Sequence, residues 1–368
     1  MHRFFKLLIL ITPILFLVNL SFALTDQLPH DKSIQWPTNK WPENKILLSD
    51  DIKFNKIIEH TFSPDSNETL GKTNAILIIQ GGSIVYEKYN SPTTIDTKLV
   101  SYSMAKSYIG LLTGIMIDSG FISSIDETNL LPEWKDNRKH ISVDHLLNMK
   151  SGLDFVEQYD VNGRSDTLEM LFGSGRYDQA SFASALNLKT PFPGMKYNYS
   201  TGETNILSKI IKEKLKENDI DYNDFIDEKL VSKLGLKNTI FEFDKSGTFI
   251  GGSSVFANAR DYARFGYLYL RNGQWDGETI VSKDWIDATR TPAQNTFQLY
   301  SNKFWHPHPA FTRGLPTDTY YCAGFGGQYI LIIPSKDMIL VRLGETYIEE
   351  DKVIENLADI IQFFEDVI

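Results

Sequence analysis

Between Ser101 and Gly120 the chain reads SYSMAKSYIGLLTGIMIDSG. Polar and small residues lead into an apolar run that stops at a glycine. Apolar side chains nearly all round, with Ala105, Ser107, Gly110 and Gly114 small enough for close neighbours, predict a buried helix. Gly120 suits its C-terminal cap, where a left-handed backbone is wanted. A helix buried on every side needs layers of structure around it, so this stretch organises the rest of the chain. At its head stand Ser103 and Lys106, three apart and therefore on one side of a helix. A serine hydroxyl is a poor nucleophile until a base takes its proton, and a lysine becomes that base when burial and positive potential lower its pKa. A helix N-terminus supplies such potential and also N–H groups able to face an oxyanion. The alternative is an N-capping serine beside a solvated lysine, and the pair alone does not decide between them.

Strand patterns lie at both ends of the chain. Thr73–Ile79 and Ser83–Tyr89 flank Gln80-Gly81-Gly82, a hairpin signal. Gly327–Pro334 and Met338–Gly344 alternate around Ser335-Lys336-Asp337, and Lys352–Val367 is an amphipathic helix. Residues 24–70 predict a proline-bearing wrapping segment and a helix near Ile46–Ile58. Between the strand regions the patterns are helical: Val143–Met149, Thr167–Leu171, Ser181–Leu186, Thr204–Leu215 and Tyr222–Leu234, then Asn258–Leu270 and Lys283–Ala288. The fold class expected is α/β (α+β), an antiparallel sheet flanked by helices and formed by both ends of the chain. Residues 24–120 and 251–368 make the sheet domain with the helix bearing Ser103, and residues 121–250 a mainly helical inserted domain. Glu157–Gln179, polar and glycine-dotted, predicts a mobile flap.

Two further stretches carry chemistry. Pro193–Gly202 (PGMKYNYSTG) is a turn-rich loop ahead of a helix, where a tyrosine hydroxyl beside a buried lysine would relay protons; the bland reading is a surface loop with two aromatic anchors. Tyr321–Gln328 (YCAGFGGQ) enters the penultimate strand, and glycines there mark a bulge or a close approach. A buried strand cysteine is the reading for Cys322, a structural role for His145 on its apolar helix, and a rigid loop for His306-Pro307-His308-Pro309. No metalloprotease, Walker, dinucleotide or G-x-S-x-G pattern occurs, so no metal and no cofactor are expected.

Ser103-x-x-Lys106, Tyr199-Ser200-Thr201 and Gly324–Gln328, in that order, resemble the three motifs of class C serine β-lactamases, penicillin-recognising esterases, DD-peptidases and 6-aminohexanoate-dimer hydrolases. VDHLLNMKSGLDF (Val143–Phe155), ANARDYARFG (Ala257–Gly266) and GGQYILIIP (Gly326–Pro334) look like signatures of the same family, so the resemblance runs from about residue 70 to 345. It implies a β-lactamase/transpeptidase-like fold and acyl transfer through a serine ester. Ser103 would attack, Lys106 would lower its proton affinity, and Tyr199 would act as general base and then acid. The backbone N–H groups of Ser103 and Gln328 would hold the oxyanion, and Thr201, Phe325, Gly326 and Gly327 would line the substrate. Two positions depart from the class C pattern. Thr201 stands where those enzymes carry asparagine, and Phe325 where they carry lysine or histidine. Desolvating a substrate carboxylate without a paired cation is costly, so uncharged ester or amide substrates are expected and β-lactams at best weakly. The alternative, from another class, is a non-catalytic binding protein for cell-wall or peptide ligands on the same fold.

Charge and termini bound the setting. A formal net charge of −10 and a pI near 5.3, with no basic stripe, argue against a nucleic-acid partner. Arg3 and Lys6, the apolar Leu7–Leu20 and Ser21-Phe22-Ala23 form a signal-peptide pattern over residues 1–23. The expectation is a secreted or periplasmic protein cut near Ala23, acting on a small-molecule ester or amide and keeping no membrane span. A single cysteine closes no internal disulfide, so packing alone must hold such a fold.

Overall fold

The computed structural model describes residues 24–159, 161–310, 312–347 and 350–367. The signal-peptide pattern at 1–23 lies outside them. Among the described residues seven strands form the main sheet: β1 (Lys72–Gln80), β2 (Ser83–Tyr89), β3 (Tyr300–Ser301), β4 (Phe304–Trp305), β5 (Tyr320–Gly324), β6 (Gln328–Ile333) and β7 (Met338–Glu345). Their order is β2-β1-β7-β6-β5-β4-β3, antiparallel throughout. Pairing of β1 with β7, from Lys72 opposite Glu345 to Gln80 opposite Met338, joins the two ends of the chain.

The sheet is buried on both faces because successive strand side chains point to opposite sides. In β1, Ala75, Leu77 and Ile79 face the larger core. Ile76 and Ile78 face the smaller one, where they meet helix α1 (Asp51–Phe62) and the C-terminal helix Glu350–Ile361. Burial of each such side chain is worth about 1.5–3 kcal/mol relative to exposure. Helix α1 begins later than its apolar pattern suggests, since Asp50 caps it by accepting from Lys53 N at 3.0 Å.

Helix α2 (Ala105–Asp118) runs against the larger core with every residue from Ala105 to Met116 buried. A 3₁₀ turn, Tyr102–Met104, precedes it, and Gly120 follows with φ +75°. Gly110 has a concrete reason: a Cβ there would sit 2.4 Å from Asn302 O, in the tight turn joining β3 and β4. Asn302 and Lys303 both have positive φ, the conformation that matches a two-residue hairpin to strand twist.

The regular structure within residues 121–250 is mostly helix, α3 (Thr201–Lys216) being the longest. Within the 157–179 stretch Ser165 caps a helix over Asp166–Phe172, where the pattern at Thr167–Leu171 placed one, and a 3₁₀ turn follows at Ser174–Tyr177. One reading needs correction: the Gly324–Gln328 stretch is not the start of one strand. Gly324 ends β5, Gln328 opens β6, and Phe325-Gly326-Gly327 is the turn between them, its two glycines at φ +77° and +74°. Glycines that signal a strand under close approach and glycines that signal a hairpin look alike in sequence.

Candidate active site

Ser103 lies in the 3₁₀ turn that feeds α2, partly exposed. Ser101 pins this turn from beneath, donating its N–H to Val255 O at 2.8 Å while its Oγ accepts from Val255 N at 3.1 Å. Tyr102, immediately before the serine, has φ +44°, a left-handed backbone that costs a residue with a Cβ about 1–2 kcal/mol. Strain of this kind persists only where the surroundings hold it. Lys106 is one turn on, only 1% exposed, and its Nζ donates to Ser103 Oγ at 2.9 Å, Thr201 Oγ1 at 2.9 Å and Gly252 O at 2.7 Å. Burial lowers its pKa to about 8, against an opposing pull from the Glu157 carboxylate. The two residues that sequence spacing paired are therefore in contact, with the amine partly neutral near pH 8.

Tyr199 comes from the loop ahead of α3, and Lys106 Nζ lies 5.1 Å from the centre of its ring. Trp305 of β4 packs against the same ring, centres 5.3 Å apart. Thr201, the first residue of α3, is buried behind Lys106 rather than exposed to a substrate. Its hydroxyl donates to Glu157 Oε1 at 2.6 Å and its N–H donates to Oε2 at 2.8 Å, while Tyr159 OH donates to Oε1 at 3.0 Å. Sequence reasoning missed Glu157, which sits 44 residues from Thr201 with no motif to link them.

Strand β5 forms the opposite wall. A Cβ on Gly324 would lie 2.1 Å from Ser101 O and 3.3 Å from Met104 N, so only glycine lets this backbone approach the serine turn. Among the described residues β5 has, on the side away from β6, the single ladder pair Tyr321–Trp305. Gln328, the expected oxyanion donor, opens β6, paired with Gly324 of β5. Its side chain instead braces the turn, donating to Gly326 O at 3.1 Å and Gly344 O at 2.6 Å and accepting from Gly344 N at 3.0 Å. Buried Arg342 donates to Gly326 O at 3.2 Å and Gly327 O at 2.7 Å. Gly326 and Gly327 are thus buried and held from behind, and Phe325 alone of the turn is partly exposed. Its ring meets those of Tyr159, Tyr347 and Tyr102, with centres 5.3, 5.3 and 5.6 Å away. An aromatic cluster therefore stands beside the turn that carries Ser103.

Behind the pair lies a second buried set that no motif announced. Lys303, in the β3–β4 turn, donates to Leu146 O at 2.5 Å, and Ser107 of α2 donates to its carbonyl at 2.8 Å. Glu203 of α3 accepts from Ser151 Oγ at 2.7 Å. Burial lowers the Lys303 pKa and raises that of Glu203, and their mutual attraction works against both shifts. The remaining candidates are structural. His145 Nδ1 accepts from Ser142 N at 3.1 Å in a helix cap; His306 is buried with Nε2 2.7 Å from Ser301 Oγ; Cys322 is buried in β5, its thiol pushed up to about 12 by burial. Among the described residues no group of His, Cys, Asp and Glu is arranged to hold a metal ion.

A family model described as Beta-lactamase matches residues 71–359. Over 298 residues the chain is 24% identical to a 6-aminohexanoate-dimer hydrolase of Paenarthrobacter ureafaciens, covering 76% of this chain and 75% of that protein. A solved Bacillus anthracis structure, provisionally described as a 6-aminohexanoate-dimer hydrolase, superposes with a TM-score of 0.71 at 18% identity, covering 92% of this chain and 89% of the other. A class C β-lactamase superposes with a TM-score of 0.65 at 17% identity over 87% of this chain and 98% of its own. At these identities the two structures establish the fold.

Proposed function

The chain belongs to the beta-lactamase family, and from that premise we propose that it is an exported serine hydrolase that opens an ester or amide through an acyl-enzyme on Ser103. The observation that carries this reading is the 2.9 Å contact between Ser103 Oγ and the buried Lys106 amine. In place of Tyr199, the base that the resemblance implies, neutral Lys106 takes the Ser103 proton as Oγ bonds to the substrate carbonyl carbon, since it is the amine that touches Oγ. Tyr199, its ring against the amine, carries a proton to the leaving nitrogen or oxygen as that bond breaks. Water then attacks the serine ester, giving up its proton to the same base, and Ser103 Oγ leaves with a proton restored.

The oxyanion needs two donors in the plane of attack. Ser103 N, at the head of α2, is one. For the second, the close approach of Gly324 favours the free edge of β5, and we assign it to the backbone at Gly324–Phe325 in place of Gln328. Substrate choice follows from the aromatic wall. Phe325 and its tyrosine neighbours favour an uncharged, apolar acyl part over a carboxylate, which supports an amide of the 6-aminohexanoate-dimer kind or a simple ester above an anionic β-lactam.

A fluorophosphonate activity probe tests the reading. Native protein is expected to take one label that Ser103→Ala abolishes. Absence of label on native protein at every pH from about 7 to 10, a window set around the Lys106 titration, overturns the enzyme reading and leaves a ligand-binding protein on the same fold.

A further inference from the structure

We propose that Glu157 is a positioning residue: it claims the proton of the Thr201 hydroxyl, and so turns the lone pair of neutral Lys106 onto Ser103. The inference rests on the reading of Lys106 as the base that deprotonates Ser103. A neutral amine has two hydrogens and one lone pair, and Lys106 has three partners. Gly252 O only accepts, so it takes one hydrogen. Ser103 and Thr201 are both hydroxyls, each able to donate or accept, and nothing in the amine itself says which of them faces the lone pair. Glu157 decides. An ionised carboxylate only accepts, and its Oε1 lies 2.6 Å from Thr201 Oγ1, so the hydroxyl hydrogen points to Glu157 and the hydroxyl oxygen must accept from Lys106. Ser103 is then the one partner left to donate to the lone pair, which is the arrangement that proton transfer from Ser103 requires.

The contact is built rather than incidental. The same carboxylate takes the Thr201 N–H through Oε2 at 2.8 Å, and Tyr159 OH donates to Oε1 at 3.0 Å. It also answers the departure at Thr201. Where class C enzymes carry an asparagine, the side-chain oxygen accepts without help, whereas a threonine hydroxyl is ambivalent until a neighbour fixes its hydrogen. The charged and titratable groups facing Lys106 come from every side: Glu157 from the segment before the Asp166–Phe172 helix, Tyr199 from the loop before α3, and Lys303 from the β3–β4 turn. Glu203 of α3 faces Lys303 in turn.

Glu157→Gln keeps shape and removes both the charge and the fixed polarity. A glutamine whose oxygen accepts the Thr201 N–H presents its NH₂ to the hydroxyl, whose hydrogen is then free to turn onto Lys106 and compete with Ser103. The probe is a fluorophosphonate, and the readout is its second-order labelling rate against pH for native protein, Glu157→Gln, Thr201→Val and the double variant. The expected result is a plateau rate lowered about 10-fold or more by each single change, the lower part of the range for acid–base groups. The double variant should be no slower than Thr201→Val, because Glu157 acts through that hydroxyl. The acid limb of Glu157→Gln should move toward lower pH, since the anion that holds a proton on Lys106 is gone; a change that merely loosened the fold would not move it. If Glu157→Gln does not fold, Glu157→Asp, which keeps the charge and shortens the reach, should lower the plateau with the limb in place. Native-like rate and pH profile in Glu157→Gln, or losses that multiply in the double variant, overturn the proposal. Failure of the native protein to label overturns instead the reading it rests on.

Discussion

At the scale of single residues, the proposed acylation turns on Lys106. Its ammonium form has no lone pair, and burial lowers its pKa from 10.5 to about 8. Acylation should therefore rise with pH through about 8, and Lys106→Ala should remove that limb while cutting the rate by at least about 100-fold; stopped-flow acylation by a chromogenic ester across that range checks both. A second expectation concerns Phe325. Phe325→Lys places a cation in the aromatic wall and should raise hydrolysis of an anionic penicillin relative to a neutral ester. An unchanged ratio of kcat/KM values would remove the account of selectivity given above. Ser103 and Lys106 were legible because helical spacing alone puts i and i+3 on one side. Glu157 was not, because its bond to Thr201 joins residues 44 apart through an irregular segment where no periodicity operates.

At the scale of elements, the helix Ala105–Asp118 was the most legible part of the fold, its apolar run and glycine stop both standing where they were read. Its small residues also meant what they implied, since Gly110 admits the Asn302 carbonyl. Gly110→Ala would force a Cβ to within 2.4 Å of that backbone oxygen. The change should destabilise the protein by about 1–3 kcal/mol, the usual range for overpacking, measured as a lower urea midpoint. A native-like midpoint would mean that the β3–β4 turn yields freely. Strands β3, β4 and β5 were missed as separate elements. The first two are two residues each, too short for alternation to register, and they are held by the turn between them and by β5. The β5–β6 turn hid behind glycines that serve equally for close approach and for positive φ. Lys303 and Glu203 gave no signal at all, since two buried titratable groups brought near each other are legible only after the elements bearing them are packed.

At the scale of the whole molecule, the sheet needs both ends of the chain, because β1 pairs with β7 across most of the sequence. Its two buried faces then carry two cores, and the larger one buries α2, whose head presents Ser103 to the edge of β5. No helix among the described residues is long and apolar enough to cross a membrane. The proposal of export rests on Arg3, Lys6, the apolar Leu7–Leu20 and Ser21-Phe22-Ala23. Protein recovered from the extracytoplasmic fraction should begin at Leu24 by N-terminal mass spectrometry, and an intact Met1 terminus there would contradict cleavage. The central claim is the covalent intermediate. A p-nitrophenyl ester mixed with the native protein and quenched in acid within milliseconds, followed by intact-mass and peptide analysis, tests it most directly. The account predicts one added acyl group, on the peptide containing Ser103, absent in Ser103→Ala. Turnover of the ester with no adduct, or an adduct on another residue, would contradict it.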